Sequence, residues 1–284
     1  MSARGRFLSG LVSLVIALAG FVTVGALPAA AHPGTVQYVA LGDSYAAGQG
    51  ASPYLNDCLQ SPQGYPELLD SEKRIHLRAN EACTGATTAE VANTQLAALN
   101  RGTRLVTLTV GAADLDVSGV ATACLTGTED ECLLKIAQAR ALLPAAPGGP
   151  SVLSSRLVSL FAEVADAAPN ARIVVTGYPL LFAPPAEGDP NEDIINAINF
   201  ATVLLNDAIM QAVKSTQATG VDIVYVNVTA AFAGHGIGGP LLPFINPPGS
   251  ADAFHPNAAG YVVYAAAISA ALPAAWLAEQ TRLA

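Results

Sequence analysis

Three side chains of this sequence have the types and spacing for nucleophilic acyl transfer. Ser44 stands in Gly42-Asp43-Ser44-Tyr45, directly after the apolar run 36–41. Far downstream, Asp252 and His255 share the stretch Asp252-Ala253-Phe254-His255-Pro256-Asn257. A serine hydroxyl is a weak nucleophile at its own pKa. An imidazole has to take its proton, and a carboxylate has to hold that imidazole in the right tautomer. Either motif alone arises by chance, and Ser44 alone reads equally well as a helix N-cap. Together and in this order they describe a serine hydrolase whose nucleophile ends a strand and whose acid and base share a late loop. The small residues Ala46, Ala47 and Gly48 open a helix or a turn, whose orphan N–H groups suit an oxyanion. The stretch is not the Gly-x-Ser-x-Gly elbow, because Ala46 occupies the place of its second glycine.

The remaining chemistry-bearing residues are weaker candidates. His235 lies in a glycine-flanked loop with no acid nearby in sequence, which makes it a loop or pocket-wall residue. His76 sits in a charged, strand-like stretch and reads as surface. Gly48-Gln49-Gly50 resembles the start of a dinucleotide fingerprint, but Pro53 replaces the required glycine and no acidic ribose partner ends a following strand. No cysteine pair or histidine cluster has the spacing of a metal site. Neither a metal nor an organic cofactor is expected.

The elements that must position Ser44, Asp252 and His255 alternate along the chain. Segments 36–41, 105–110, 172–177 and 221–228 are rich in Val and Ile and nearly continuous in apolar character, the pattern of strands buried on both faces. A weaker fifth strand is expected around 74–79. Helical patterns fall between and after them, at 88–99, 152–168, 193–216 and 258–271. Strict alternation implies one α/β domain with a parallel sheet covered on both sides. Ligands of such sheets bind beyond the carboxyl ends of the strands. Ser44, Ala113-Asp114 and the loop 178–182 all follow such ends. Apolar side chains at Leu180, Leu181, Phe182, Leu241, Leu242 and Phe244 are candidates for an acyl pocket, with plain loop anchoring as the alternative.

Bulk properties place the domain. Arg4 and Arg6 precede an apolar stretch from Phe7 to about Leu27, and Ala29-Ala30-Ala31 offers small residues for cleavage, so 1–31 reads as a signal peptide and 32–284 as the mature domain. An uncleaved anchor is the alternative, disfavoured by the glycines and proline that interrupt the stretch. The formal net charge is −9, and 1–31 carries two arginines and no acid, so the remainder is more acidic still. That excludes nucleic acid as a partner and electrostatic docking to anionic membranes. With 52% hydrophobic and 12% charged residues there is ample material for a core. The expected product is a secreted, monomeric protein with no membrane insertion after cleavage. Four cysteines in an exported chain imply two disulfides. Cys124 and Cys132 bracket a polar stretch, Thr126 to Glu131, read as a turn; a local bridge there leaves Cys58 to pair with Cys83. Closing that second loop contributes about 3 kcal/mol in the chain-entropy view.

The motifs resemble those of the SGNH (GDSL-type) hydrolases, and in particular the secreted actinobacterial esterases and lipases of that group. The resemblance runs from about Val36 to Ala271. It is carried by Tyr38-Val39-Ala40-Leu41-Gly42-Asp43-Ser44-Tyr45, by Ala82-Cys83-Thr84-Gly85-Ala86-Thr87-Thr88, by the stretch 105–111, and by Phe254-His255-Pro256-Asn257-Ala258-Ala259-Gly260. It implies a three-layer α/β/α sandwich of the SGNH/flavodoxin-like type. It also implies Ser44 as nucleophile, His255 as base, Asp252 as its partner, and the N–H groups of Ser44 and Gly85 as oxyanion donors. Its first two bridges match Cys58–Cys83 and Cys124–Cys132. Two positions depart from the pattern. The third block normally reads Gly-x-Asn-Asp, whereas Gly111-Ala112-Ala113-Asp114 has Ala113 at the asparagine that supplies a third oxyanion donor. Removing one such donor costs about 10²–10³ in turnover. Gly236-Ile237-Gly238-Gly239 lacks a cysteine that relatives often use for a third bridge.

The resulting expectation is a carboxylic ester hydrolase acting on a small-molecule or lipid ester through a Ser-His-Asp triad and an acyl-enzyme. Two other readings follow from the same residues. One is a catalytically weakened relative that binds an acyl or glycan ligand, motivated by Ala113. The other is a polysaccharide O-deacetylase, because nothing in the composition excludes neutral sugars.

Overall fold

The computed structural model describes residues 34–72 and 74–283; the expected signal segment and its cleavage site lie outside them. Five strands form one parallel sheet: β1 (Val36–Gly42), β2 (Ile75–Asn80), β3 (Leu105–Thr109), β4 (Arg172–Thr176) and β5 (Ile223–Val226). Their order is β2-β1-β3-β4-β5. β1 and β3 have almost no exposed residue, which is why both read as continuous apolar runs. β2 lies at the sheet edge and alternates in burial, hence its weaker signal and the exposed His76.

Helices cover both faces. The chain between β1 and β2 carries α1 (Ser44–Ala47) and α2 (Tyr65–Asp70). Between β2 and β3, a short α3 (Thr88–Glu90) continues as a π-turn through Val91–Gln95. After β3 come α4 (Val117–Thr126), α5 (Glu129–Leu142) and α6 (Val152–Ala167). Between β4 and β5 lies α7 (Glu192–Gln217), and after β5 come α8 (Ala258–Ala270) and α9 (Ala274–Leu283). The crossover from β1 to β2 runs across the sheet in the opposite direction to the three later ones. Right-handed connections therefore put α2 on one face and α3, α6 and α7 on the other. The packing agrees: α2 meets α8, and α6 meets α3 and α7. The reversal of direction lies between β1 and β3, the place where open parallel sheets gather their ligands.

Two features differ from the sequence expectation. The stretch 126–131 is not a simple turn but the tight corner of a helical hairpin, since Thr126 ends α4 and Glu129 already begins α5. The cause is a capping box: Thr128 accepts from the Glu131 N–H while the Glu131 carboxylate accepts from the Thr128 N–H. Cys124–Cys132 then staples the two helices together, and Cys58–Cys83 forms as paired above. The second difference is the core, which is less oily than the strands imply. Tyr38 meets the Thr107 hydroxyl at 2.6 Å, Tyr65 meets Thr109 at 2.9 Å, and Thr109 meets Thr176 at 2.6 Å. Each of these hydroxyls thereby has a partner, which offsets the cost of burying it.

By length and composition α7 could cross a bilayer. One face of it, Leu204, Leu205, Ala208, Ile209, Ala212 and Val213, is buried in the core, while Ile194, Phe200 and Val203 are exposed.

Candidate active site

β1 ends in a position that only glycine fills. Gly42 has φ +133°, and a Cβ there would sit 2.1 Å from the Thr109 carbonyl oxygen. The strand end is pinned by a side chain that behaves like an extra strand: the Gln95 amide accepts from the Gly42 N–H at 2.8 Å and donates to its carbonyl at 2.9 Å. Gln95 is buried in the π-turn after α3. It was not singled out from the sequence, although its place on one face with Val91 and Leu99 was a usable signal.

The chain then turns into α1, and the N-cap is Asp43 rather than Ser44. The Asp43 carboxylate accepts from the Tyr45 N–H at 2.9 Å and from the Tyr178 hydroxyl. Burial pushes this carboxyl up to about 7, against the pull of those two donors. Capping by Asp43 leaves the Ser44 hydroxyl free for other work. Its Oγ lies 2.8 Å from His255 Nε2.

The loop bearing His255 is held against α1 from several sides. The Tyr45 hydroxyl donates to the Phe254 carbonyl at 2.6 Å, and the Tyr261 hydroxyl donates to the Gln49 carbonyl at 2.6 Å. Asn246 exchanges main-chain bonds with Phe254 and His255, and its side chain donates to the Gly50 carbonyl at 2.9 Å. Phe254 itself is in the left-handed region, φ +67°, an uncommon conformation for a side chain of this size.

That turn decides what faces the far side of the imidazole. His255 Nδ1 meets the Ala253 carbonyl oxygen at 3.0 Å. Asp252, expected there, makes no ion pair with His255 among the described residues; its carboxylate accepts from Gln49 Nε2 at 3.3 Å. The three-residue spacing allows a carboxylate to reach back, but the left-handed turn at Phe254 brings main chain to the ring first. A carbonyl can only accept, so Nδ1 carries the proton and Nε2 presents its lone pair to the Ser44 hydroxyl. Burial holds the imidazole below its usual pKa, opposed by the Ala253 carbonyl and by the negative charge of Asp252.

Ser44 and His255 open into a cleft of about 250 Å³. Gly85 lines it from a turn anchored by Cys58–Cys83 and by a bond from the Thr84 N–H to the Cys58 carbonyl at 3.1 Å. The φ of +77° at Gly85 again calls for glycine. The N–H groups of Ser44 and Gly85 have no acceptor among the described residues. Ala113 lines the opposite wall with a methyl group, and its neighbour Asp114 turns away from the cleft to cap α3, accepting from the Thr88 N–H at 2.8 Å and hydroxyl at 2.7 Å. Of the apolar loop residues, Leu181 lines the cleft, joined by Pro179 and Val117. Phe182 packs on Phe254, Phe244 stacks on His235, and Leu241 and Leu242 face solvent outside it. His235 bonds the Leu242 carbonyl through Nδ1 and stays outside the cleft.

A model of the GDSL-like lipase/acylhydrolase family matches residues 40–263. The chain is 33% identical over 264 residues to lipase 1 of Streptomyces coelicolor, covering 90% of this chain and 94% of that one. It is 33% identical over 268 residues to a lipase of Streptomyces rimosus, covering 92% and 94%. Among solved structures, the extracellular lipase of Streptomyces rimosus superposes with a TM-score of 0.74 at 29% identity, over 84% of this chain and 100% of that one. Phospholipase A1 of Streptomyces albidoflavus gives 0.72 at 33% identity, over 83% and 99%. Fold, motif order and these likenesses agree: the chain belongs to the GDSL-like lipase/acylhydrolase family.

Proposed function

We propose that this chain is an exported carboxylic ester hydrolase, working as a single chain through Ser44 and His255. The observation that carries the reading is the 2.8 Å contact between Ser44 Oγ and His255 Nε2, with Nδ1 committed to a carbonyl. As the Ser44 oxygen bonds to the substrate carbonyl carbon, its proton passes to Nε2. The negative oxygen that develops is received by the N–H groups of Ser44 and Gly85. The C–O bond to the alcohol then breaks as the imidazolium returns the proton to the departing oxygen, leaving an acyl-enzyme that water resolves by the same steps in reverse roles. The Ala253 carbonyl orients the imidazole and bears against its developing charge, while Asp252 contributes its charge through space. Export is supported by the N-terminal segment of the sequence and by the extracellular relatives.

The apolar wall of Val117, Pro179 and Leu181 suits an acyl chain. Turnover of p-nitrophenyl esters from acetyl to palmitoyl, by the mature protein and its Ser44→Ala variant, tests the reading. Ser44→Ala should lose essentially all turnover, on the order of 10⁴-fold or more, with an unchanged melting temperature. Undiminished hydrolysis in that variant would sink the assignment, and a fluorophosphonate that fails to label Ser44 would favour the binding-protein reading instead.

A further inference from the structure

The cleft changes character across the nucleophile. On the side of β2 and β1 it is lined by Gln49 and Thr84; on the side of β3 and β4 the lining is mostly apolar, Ala112, Ala113, Val117, Pro179 and Leu181, with Asp116 and Thr202 among them. The strand order puts these two linings on opposite sides of Ser44. An ester bound with its acyl chain on the apolar side therefore directs its alcohol toward Gln49 and Thr84. Gln49 is also joined through Asp252 to the loop that carries His255, which returns a proton to the leaving oxygen.

Gln49 is held in one orientation. Its Oε1 accepts from the Thr84 hydroxyl at 2.6 Å, its Nε2 donates to Asp252 Oδ1 at 3.3 Å, and its main-chain carbonyl accepts from Tyr261. An amide nitrogen has two protons, and only one is taken by Asp252. The second N–H and the lone pairs of the Thr84 hydroxyl remain for a ligand, with the Asp252 carboxylate behind them. Neither the Gln49 amide nor the Thr84 hydroxyl has a step in the acyl transfer itself.

We propose that Gln49 and Thr84, braced by Asp252, form an alcohol-side subsite that binds a hydroxyl neighbouring the ester oxygen and sets the preference among leaving alcohols. The inference rests on Ser44 being the nucleophile and deepens that reading. A hydroxyl that fits replaces the water on Gln49 and Thr84, whereas a methyl in its place strips that water and returns nothing. Sites built to bond a hydroxyl reject the analogue that lacks it for this reason. The fixed amide adds to the effect, because little rotamer freedom is lost on binding.

The test compares 2-hydroxyethyl octanoate with propyl octanoate, which differ only in a hydroxyl for a methyl, at concentrations where both are monomeric. The mature protein should prefer the hydroxyethyl ester in kcat/KM by about tenfold, the worth of one or two neutral hydrogen bonds. Gln49→Leu should lower that ratio by about three- to tenfold, and Thr84→Val by about two- to fivefold. Because the readout is a ratio, losses common to both esters cancel. If Gln49→Leu does not fold, Thr84→Val alone decides. An unchanged ratio in a folded variant overturns the proposal. Equal kcat/KM for both esters in the parent overturns the subsite while leaving Ser44 as nucleophile; hydrolysis of neither overturns both.

Discussion

The two flanks of the cleft are built to different standards. On one side, the α1 turn and the His255 loop are tied by side-chain bonds from Gln95, Tyr45, Tyr178, Tyr261 and Asn246, and Asp43, Gln95 and Tyr264 beneath them are buried. On the other, the hairpin of α4 and α5 supplies Val117 and Asp116 to the cleft, yet α5 buries no residue. Leu133 and Leu134 there are more than half exposed, and the hairpin is fastened by Cys124–Cys132 and by Lys135 on Asp116 at 2.5 Å. An exposed pair of that kind contributes about 1 kcal/mol or less. On the proposed reading the first flank moves protons, where small displacements are costly. The second has only to exclude water, and its α5 rests on the core through partly buried Ala139 and Leu142.

Ala113 stands at the seam between the two flanks and gives the largest expected effect. If the rigid flank alone supplies oxyanion donors, Ala113→Asn should raise kcat toward the 10²–10³ that one such donor is worth. A variant no faster than the parent would place an equivalent donor elsewhere in the cleft. Next comes the strand end. Gln95→Leu keeps the volume but orphans the buried Gly42 N–H, which should cost about 2–4 kcal/mol of stability in urea unfolding, with kcat falling as Ser44 loses its footing. A cost below about 0.5 kcal/mol would show that the rigid flank does not depend on this amide.

A smaller effect is expected at Asp252. Where a buried carboxylate holds the catalytic histidine, removing it costs about 10⁴ in kcat. Here Asp252→Asn should cost less than about tenfold, because the Ala253 carbonyl still holds Nδ1. The pH profile carries the sign. His255 must be neutral to accept the Ser44 proton, and its pKa is lowered by burial, so the acid limb of kcat/KM should lie below pH 6.5, the ordinary histidine value. The carboxylate raises that pKa, so Asp252→Asn should move the limb lower still. Collapse of activity, or a limb moving upward, would restore Asp252 to the ring. The smallest effect belongs to the hairpin flank. Replacing Cys124 and Cys132 by serine should cost at most about 2.5 kcal/mol of local stability and leave kcat within about twofold, with any change falling on KM for long acyl chains. A large loss of kcat would mean that the hairpin positions the reacting groups after all.

Much of this was legible in the sequence, and the boundary is physical. Strands buried on both faces announce themselves, and each expected strand and long helix is present within a few residues. That Ser44 and His255 would meet was legible because a hydroxyl paired with an imidazole requires scarce residue types in set contexts. Asp252 misled because sequence spacing limits reach but says nothing about the turn between, and φ at Phe254 decides whether side chain or main chain arrives at Nδ1. The hairpin at α4 and α5 was read as a turn because α5 has no apolar face to reveal it; only its capping box and acidic first turn carried the signal. Gln95 is marked in the sequence only by its place on one face with Val91 and Leu99, which signals burial but not that its amide completes a strand. Leu241 and Leu242, candidates for an acyl pocket or for loop anchoring on hydrophobicity alone, do neither and face solvent, as apolar residues commonly do on any surface.

The Ala253 carbonyl has a consequence for how this chain can vary over time. A side chain that orients a catalytic base is one codon away from loss, and families that depend on one must purge every such change. An orienting oxygen that belongs to the main chain is encoded at no single position, because all twenty residues carry it. What is inherited is the course of the loop from Asn246 to Asn257, spread over many small contacts. Position 252 is thereby spared a direct bond to the imidazole, acts on it only through its charge, and is the freer to vary with what lies on the other side of the ester bond.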